Sequence, residues 1–203
     1  LWGYTEQPPL YTWVQHGLFR ALGESVLAIS LFKNLLLFLT YYFLYKAART
    51  ISPRPAIAVL SAASLLLIPQ IAWESQRDMT HTTLAVCCAA ATLWLVLRLI
   101  VKPTWRIYLL LGLALGTGFL AKANYLFLVL VLGISLITFP QGRSVVFSPR
   151  MVISLLIAFA LAGPYFTWMA THQDIVFSAT HKFKRGLEYS SFHGLKSVLV
   201  NTV

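Results

Sequence analysis

The stretch TTLAVCCAAATLWLVLRLIV, residues 82–101, contains a single charged side chain, Arg98, near its end. About 20 apolar residues cross the hydrocarbon core of a bilayer as a helix, so this stretch predicts a membrane span. Five further apolar runs lie at residues 26–45, 56–73, 107–121, 125–139 and 151–169. The chain is 58% hydrophobic and 11% charged, whereas soluble domains are roughly 45–50% apolar. The sequence therefore predicts an all-α fold, a polytopic transmembrane bundle of about six helices.

Two of these runs are short for a membrane span. Residues 107–121 and 125–139 number 15 each, and such a helix is only about 22 Å long against a hydrocarbon core of about 30 Å. One helix through both runs would be about 50 Å long. We therefore expect the polar break at residues 122–125 to turn a helical hairpin. Pro69 and Pro164 predict bends in their helices.

Basic and acidic residues are predicted to lie at opposite ends of the bundle. If residue 1 is outside, the loops that fall inside contain Lys46, Arg49, Arg54, Arg98, Lys102, Arg106, Arg143 and Arg150. All acidic residues then fall outside, namely Glu6, Glu24, Glu74, Asp78, Asp174 and Glu188. This is the positive-inside pattern, and anionic membrane lipids are the expected partners of the inner cations. Because these cations occupy separate short loops, the net charge of +10 does not indicate nucleic-acid binding.

The cysteines and two closely spaced glycines are expected to have structural roles, and the histidines are not expected to bind a metal. Cys87 and Cys88 are adjacent within a predicted span, where we expect buried thiols, since neither a disulfide framework nor a zinc site uses adjacent cysteines. Gly112 and Gly116 have the spacing that allows close helix packing in membranes. The five histidines lack the i, i+4 spacing of a metal pair. We therefore expect no metal and no cofactor.

The chain divides into three predicted regions. Residues 1–22 are expected to form an outer-face loop and an interfacial helix, residues 23–171 the transmembrane bundle, and residues 172–203 an outer-face tail. In the first region, Pro8 and Pro9 suit the start of a helix. The aromatic residues Trp2, Tyr4 and Trp13 are equally typical of a belt that anchors a protein at the membrane interface.

The segment ESQRDMTH, residues 74–81, carries unexpected polar chemistry between two spans. Ionisable groups at span edges cost a few kcal/mol if they face lipid, so they usually point into the bundle or a cavity. Asp78 or Glu74 can hold a proton or orient a hydroxyl group, and Arg77 can bind phosphate through two hydrogen bonds. Alternatively, Arg77 forms a surface ion pair with one of these acids.

Lys122 is a second candidate for phosphate binding. It lies between two apolar runs and is followed by Asn124 and Tyr125, which together make a compact group of hydrogen-bond donors. A lysine here suits a lipid-borne phosphate as a point charge. The alternative is a lysine whose ammonium group merely reaches the membrane interface.

Three motifs, in this order and spacing, resemble the dolichyl-phosphate-mannose-protein mannosyltransferase-like glycosyltransferases and their bacterial relatives, which include the aminoarabinose transferases of lipid A. The motifs are GYTEQPPLYTW at residues 3–13, RDMTHT at 77–82 and LAKANY at 120–125. The resemblance covers nearly the whole chain. It implies a multi-span fold of the C type, a polyprenyl-phosphate sugar donor and a lipid or protein acceptor. It also implies a bacterial inner membrane protein with a periplasmic active site.

The resemblance assigns roles to individual residues. Glu6 matches the acid before the Pro-Pro pair and Asp78 the second outer-loop acid, so both are expected to take catalytic roles in positioning the sugar or acceptor. Lys122 matches the lysine of the hairpin turn, and with Arg77 it is expected to bind the donor phosphate. Further substrate-lining residues are expected to be Tyr4, Gln7, His81, Asn124 and Tyr125.

Two departures from the family pattern affect these expectations. Gln7 stands where the aminoarabinose transferases have a lysine, which argues against that sugar as substrate. The base that deprotonates the acceptor lies upstream of the first motif in the family, and would therefore precede Leu1. We expect residues 1–203 alone to be inactive.

Other functional classes are weaker alternatives. A transporter or flippase subunit for a lipid-linked or anionic substrate also uses broken helices and intramembrane charge. It predicts ionisable residues near the bilayer centre and two related halves, whereas the charges cluster at span ends, with Lys33 the chief exception, and no repeat is visible. A purely structural scaffold leaves the outer polar clusters without a role.

Overall fold

The computed structural model describes residues 7–77 and 80–172. Each predicted apolar run is helical over most of its length. The helices are α1 (Leu10–Leu22), α2 (Val26–Ile51), α3 (Pro55–Ala63), α4 (Ser75–Arg77), α5 (Thr80–Val101), α6 (Trp105–Ala121), α7 (Tyr125–Ile137), α8 (Pro140–Val146) and α9 (Pro149–Thr171). A 3₁₀ turn (Ser64–Leu67) and a π-helical turn (Gln70–Glu74) lie between α3 and α4. The predictions for Tyr4, Glu6, Asp78 and the tail after residue 172 lie outside the described residues.

Three helices of the described part, α2, α5 and α9, are long and apolar enough to cross a membrane. The run at residues 56–73 is broken, since Pro55–Leu67 and Gln70–Arg77 meet at 77°. Pro69 lies in that break, as predicted, whereas Pro164 lies inside the continuous α9. Helices α6 and α7 are shorter apolar helices. The all-α fold is confirmed, and the number of crossings stays a prediction.

Helices α2 and α5 lie side by side and run in the same direction. Near their first turns, the Tyr11 ring of α1 contacts both Phe32 and His81, with centroid distances of 5.2 Å. Toward their last turns, Phe43 stacks on Trp94 at 5.6 Å. The pair therefore brings its two N-terminal ends together at one end of the bundle and its two C-terminal ends together at the other.

Helices α6 and α9 also run in the same direction and approach each other closely. The Ser154 hydroxyl donates a hydrogen bond of 2.7 Å to the Tyr108 carbonyl. A Cβ added at Gly112 would lie 2.7 Å from the Ser154 carbonyl oxygen, and one at Gly116 would lie 2.8 Å from the Leu161 side chain. The close packing predicted from the glycine spacing is confirmed, because no larger residue fits at either position without displacing its neighbour.

The hairpin predicted between α6 and α7 is present. At one end of α6, the Tyr125 ring covers Gly118 so tightly that an added Cβ would lie 2.3 Å from it. At the other end, the Tyr108 hydroxyl donates a 3.2 Å hydrogen bond to the Val145 carbonyl of α8. Helix α7 connects these two contacts, so the chain returns along α6 after the turn at residues 122–125.

Charge is segregated along the bundle as the sequence predicts. Glu24 and Glu74 are the acidic residues of the described part, and both lie at the end where α2 and α5 begin. We call this the acidic end. The opposite end, where these two helices finish, carries the basic loops and is called the basic end. Which end faces the outer side of a membrane stays a prediction.

Much of the outward-facing surface is apolar. Leu27, Leu60, Phe127 and Phe159 are each about two-thirds exposed, and they come from four different helices. Soluble monomers rarely expose apolar patches of more than a few hundred Å². Such a surface is suited to hydrocarbon, which agrees with the lengths of the apolar helices.

Replacing Gly112 with alanine is expected to destabilise the bundle. The added Cβ would meet a backbone oxygen of α9, which cannot move without moving the helix, and such overpacking costs about 1–3 kcal/mol. Gly133→Ala is the matched control, because a Cβ at that helical position meets nothing within 4 Å. The measurement is the thermal unfolding midpoint in detergent, and equal midpoints for the two variants would contradict the packing described here.

Candidate functional site

A cleft opens at the acidic end of the bundle, between α1 and the first turn of α5. Its volume is about 330 Å³, which is within the usual range of about 300–1,000 Å³ for ligand pockets. The lining residues are Tyr11, Thr12, Gln15, His16, Phe19, Thr80 and His81. Two helices distant in sequence therefore form one concave site.

Tyr11 fixes the position of α1 beside this cleft. The helix begins at Leu10, directly after Pro9, and proline suits a helix start because its missing N–H would be unpaired there. Tyr11 turns inward and is only 5% exposed, between the rings of Phe32 and His81. Burial raises the pKa of the Tyr11 hydroxyl, so this group stays protonated and able to donate a hydrogen bond.

Several buried polar atoms around the cleft have no hydrogen-bond partner within the described part of the chain. They are the Tyr11 hydroxyl, both amide atoms of Gln15 and His81 Nδ1. Buried polar groups are nearly always paired, and an unpaired one costs about 1–3 kcal/mol. Three such side chains line one cleft and are therefore candidate partners for a polar ligand.

Lys122 lies directly behind His81. Helix α6 ends at Ala121, and the Lys122 ammonium donates a 2.8 Å hydrogen bond to the Thr82 hydroxyl of α5. The His81 ring forms a hydrogen bond with the Ala121 backbone. Lys122 is half-buried, and within the described part no carboxylate pairs with it. Its positive charge is therefore available to an anion.

The turn that carries Lys122 is held by Tyr125. This side chain is 4% exposed, and its hydroxyl contacts the Thr92 hydroxyl at 2.5 Å and the Ala114 carbonyl at 3.3 Å. Its ring packs on Gly118 of the preceding helix. Because these contacts fix the first residue of α7, they also fix the turn at residues 122–124. Lys122 is thus positioned by the packing and hydrogen bonds of Tyr125.

Lys33 supports a second polar segment at the same end. It is only 6% exposed within α2, and its ammonium donates a 3.0 Å hydrogen bond to the Gln76 carbonyl. A buried charge needs such a partner, because desolvation without one is costly. Lys33 therefore ties the short helix α4 to α2. Arg77 and Asp78 follow the bonded carbonyl directly in sequence.

The structure brings some of the predicted site residues together. His81 and Lys122 are neighbours, while Tyr125 lies in the packing beneath their turn. Asn124 and Arg77 are exposed, and Gln7 is half-buried. The alternative ion pair between Arg77 and Glu74 is not found within residues 7–77. The substrate-binding roles of all these residues stay predictions, as do those of Tyr4, Glu6 and Asp78, which lie outside the described residues.

The sequence did not predict a role in this region for Tyr11, Gln15 or Thr82. It also did not predict the contact between Lys33 and residue 76. Tyr11 and Gln15 are one helical turn apart, so they share a face of α1, and that spacing was the available signal. Thr82 and Lys33 gave no such signal, since their partners are 40 and 43 residues away.

Among residues 7–77 and 80–172, no group of three or more His, Cys, Asp or Glu side chains could hold a metal ion.

Comparison with known proteins identifies relatives for most of the chain. The family described as dolichyl-phosphate-mannose-protein mannosyltransferase matches residues 6–168. The lipopolysaccharide core galacturonosyltransferases RgtB and RgtA of Rhizobium johnstonii are 33% and 32% identical over 88% and 82% of the chain. The lipid A galacturonosyltransferase RgtD of the same organism is 26% identical over 92%.

These relatives are much longer than the chain. The matched regions cover 36% of RgtB, 34% of RgtA and 41% of RgtD. The chain therefore spans about a third of the length of these curated relatives. No solved structure matches the chain significantly.

Substituting Lys33 with methionine is expected to loosen residues 76–77 while the bundle stays folded. The change keeps the length of the side chain but removes the donor to the Gln76 carbonyl. Trypsin cleavage after the exposed Arg77 should become about tenfold faster, because a hydrogen bond from a charged donor contributes about 1.5 kcal/mol or more. The measurement is limited proteolysis in detergent.

Asn34→Ala is the control for this experiment. Asn34 is adjacent and exposed, and its amide donates only to the Ser30 carbonyl one turn earlier in α2. Its substitution should leave cleavage after Arg77 unchanged. Identical cleavage rates in the Lys33 and Asn34 variants would show that the Lys33 contact does not position this segment.

Proposed function

Since this chain belongs to the dolichyl-phosphate-mannose-protein mannosyltransferase family, we propose that the whole protein is a membrane glycosyltransferase. In this proposal it moves a sugar from a polyprenyl-phosphate donor to an acceptor. The names of its relatives favour galacturonic acid as the sugar and lipopolysaccharide core or lipid A as the acceptor. The proposal concerns the full-length protein, because the chain spans about a third of those relatives.

The observation that carries the proposal is the position of Lys122. Its ammonium is half-buried, bonded to the neutral Thr82 hydroxyl and adjacent to a cleft with unpaired polar atoms. An ammonium in a site partly shielded from water stabilises the charge that develops on a leaving phosphate. We assign Lys122 to the donor phosphate, and we assign the exposed Arg77 to the same phosphate.

The cleft suits the sugar or the acceptor. Gln15 offers an amide donor and an amide acceptor, Tyr11 a hydroxyl and His81 a ring nitrogen. Within residues 7–77 and 80–172, none of these atoms has a hydrogen-bond partner. Sugars present hydroxyl groups that both donate and accept hydrogen bonds. We assign these three side chains to sugar hydroxyls, together with Gln7, Tyr4 and Asn124, which the sequence predicts to contact the substrate.

The two acidic residues complete the proposal. In the sequence, Asp78 directly follows Arg77, and Glu6 directly precedes the half-buried Gln7. We assign both to positioning the acceptor hydroxyl or the sugar. The separation of acidic and basic ends supports a periplasmic site in an inner membrane, since the basic end then faces the cytoplasm.

Lys122→Ala in the full-length protein is expected to raise the KM for the donor about tenfold or more, because charge-assisted hydrogen bonds to phosphate contribute about 1.5–3 kcal/mol. Lys122→Arg should recover part of the loss, since it restores the charge. Arg106→Ala is the control, because Arg106 is an exposed cation at the basic end. The measurement is sugar transfer by membranes, with a series of polyprenyl-phosphate sugars and, in parallel, nucleotide sugars.

The outcomes separate the assignments. Equal losses for Lys122→Ala and Arg106→Ala would remove the phosphate assignment. Turnover of a nucleotide sugar alone would contradict the donor class. No turnover of any donor by folded, inserted protein would contradict the enzyme and favour a transporter of lipid-linked substrates. Turnover of a polyprenyl-phosphate galacturonic acid is the expected result.

A further inference from the structure

A second cleft lies at the basic end, remote from the site described above. It has a volume of about 420 Å³ and lies between the last turns of α2 and α5. Lys46 and Arg49 line it from α2, Arg98 lines it from the last turn of α5, and Lys102 lines it directly after that helix. Trp94 and Val101 supply an apolar wall. Four cations therefore converge on one concave surface.

Helix periodicity explains the convergence. Residues three or four positions apart share one face of a helix, which applies to the spacing of Lys46 and Arg49 and to that of Arg98 and Lys102. Because α2 and α5 run in the same direction, their last turns lie side by side and the two pairs face each other. Like charges brought together in this way repel, so the arrangement costs stability unless an opposite charge is present.

The described part of the chain offers little to neutralise these cations. Its acidic residues, Glu24 and Glu74, lie at the other end of the bundle. Each helix C-terminus carries about half a negative charge, so the ends of α2 and α5 together offset about one of the four positive charges. Arg49 also donates to the Pro53 carbonyl, and Lys46 lies 5.9 Å from the centre of the Tyr42 ring. These are neutral partners, so most of the charge remains.

The positive-inside pattern alone does not explain this cleft. That pattern requires basic residues in loops near the ends of spans, and Arg54, Arg106 and Arg143 satisfy it without lining the cleft. It does not require four cations from two helices to share a pocket with an aromatic wall. Phe43 stacks on Trp94 at 5.6 Å and holds that wall in place. The positive-inside pattern therefore accounts for the presence of basic residues at this end, and the packing of α2 on α5 accounts for their shared pocket.

We propose that this cleft binds the phosphate of an anionic membrane phospholipid. Arginine and lysine side chains recognise phosphate oxygens through charge-assisted hydrogen bonds, and basic residues beside a span attract anionic headgroups. Ile51 and Val101, both about 70% exposed at the same helix ends, offer apolar surface along which an acyl chain can lie. The site is separate from the proposed sugar-transfer site and does not depend on that activity.

The test compares two double variants of the full-length protein with the same loss of charge. R98Q/K102Q removes two cations from the cleft, whereas R54Q/R106Q removes two exposed cations from the same end outside it. The thermal midpoint in a neutral detergent is measured as phosphatidylglycerol, phosphatidylcholine or inorganic phosphate is added. Phosphatidylglycerol is expected to raise the midpoint of the wild type and of the R54Q/R106Q variant. The R98Q/K102Q variant should need about tenfold more of this lipid.

Three other results would overturn the proposal. Equal weakening in both double variants would show general attraction to a basic surface. An equal shift with inorganic phosphate at the same concentration would indicate a small-anion site, and an equal shift with phosphatidylcholine would indicate no headgroup preference. If R98Q/K102Q fails to insert, Lys46→Gln is measured against Arg54→Gln, and equal lipid dependence of these single variants would likewise overturn the proposal.

Discussion

Charged side chains are costly in hydrocarbon, and this constraint arranges the whole bundle. Helices satisfy their own backbone hydrogen bonds in lipid, so the apolar runs form helices and the ionisable residues collect where those helices end. The two clefts lie at opposite ends of the bundle, one between α1 and the first turn of α5 and the other between the last turns of α2 and α5. Lys33 is the exception within a span, and the Gln76 carbonyl supplies the hydrogen bond that makes its burial possible.

The fold was largely predictable because its signals are local. Residues 82–101 are almost uninterruptedly apolar and become α5, and two runs that are each short for a span, and together too long for one, become the α6–α7 hairpin. The bend of 77° was predictable only in position, from Pro69. The angle of the bend depends on how the π-helical turn and α4 pack, and Lys33 holds α4 against α2. That contact joins residues 43 positions apart in the sequence.

The site was predictable only in part, for a related physical reason. An ionisable residue at the edge of a span is rare, because it costs free energy if it faces lipid. Lys122 and His81 could therefore be identified from the sequence. Neutral polar residues such as Gln15 in α1 and Thr82 in the first turn of α5 cost less free energy to place near the membrane, so they carry no such signal. Tyr11 is equally compatible with a lipid interface and with a buried contact, and only its packing against Phe32 and His81 decides between them.

The absence of a carboxylate beside Lys122 in the described part bears directly on its chemistry. A neutral hydrogen bond contributes about 0.5–1.5 kcal/mol, whereas one to a charged group contributes about 1.5–3 kcal/mol. The contact with Thr82 therefore orients the ammonium without neutralising it. The packing of Tyr125 on Gly118 and the hydrogen bonds of the Tyr125 hydroxyl fix the turn, so the position of Lys122 does not depend on an ion pair. A cation placed in this way can exchange a hydroxyl for a phosphate oxygen at a gain in binding energy, which an ion-paired lysine could not do.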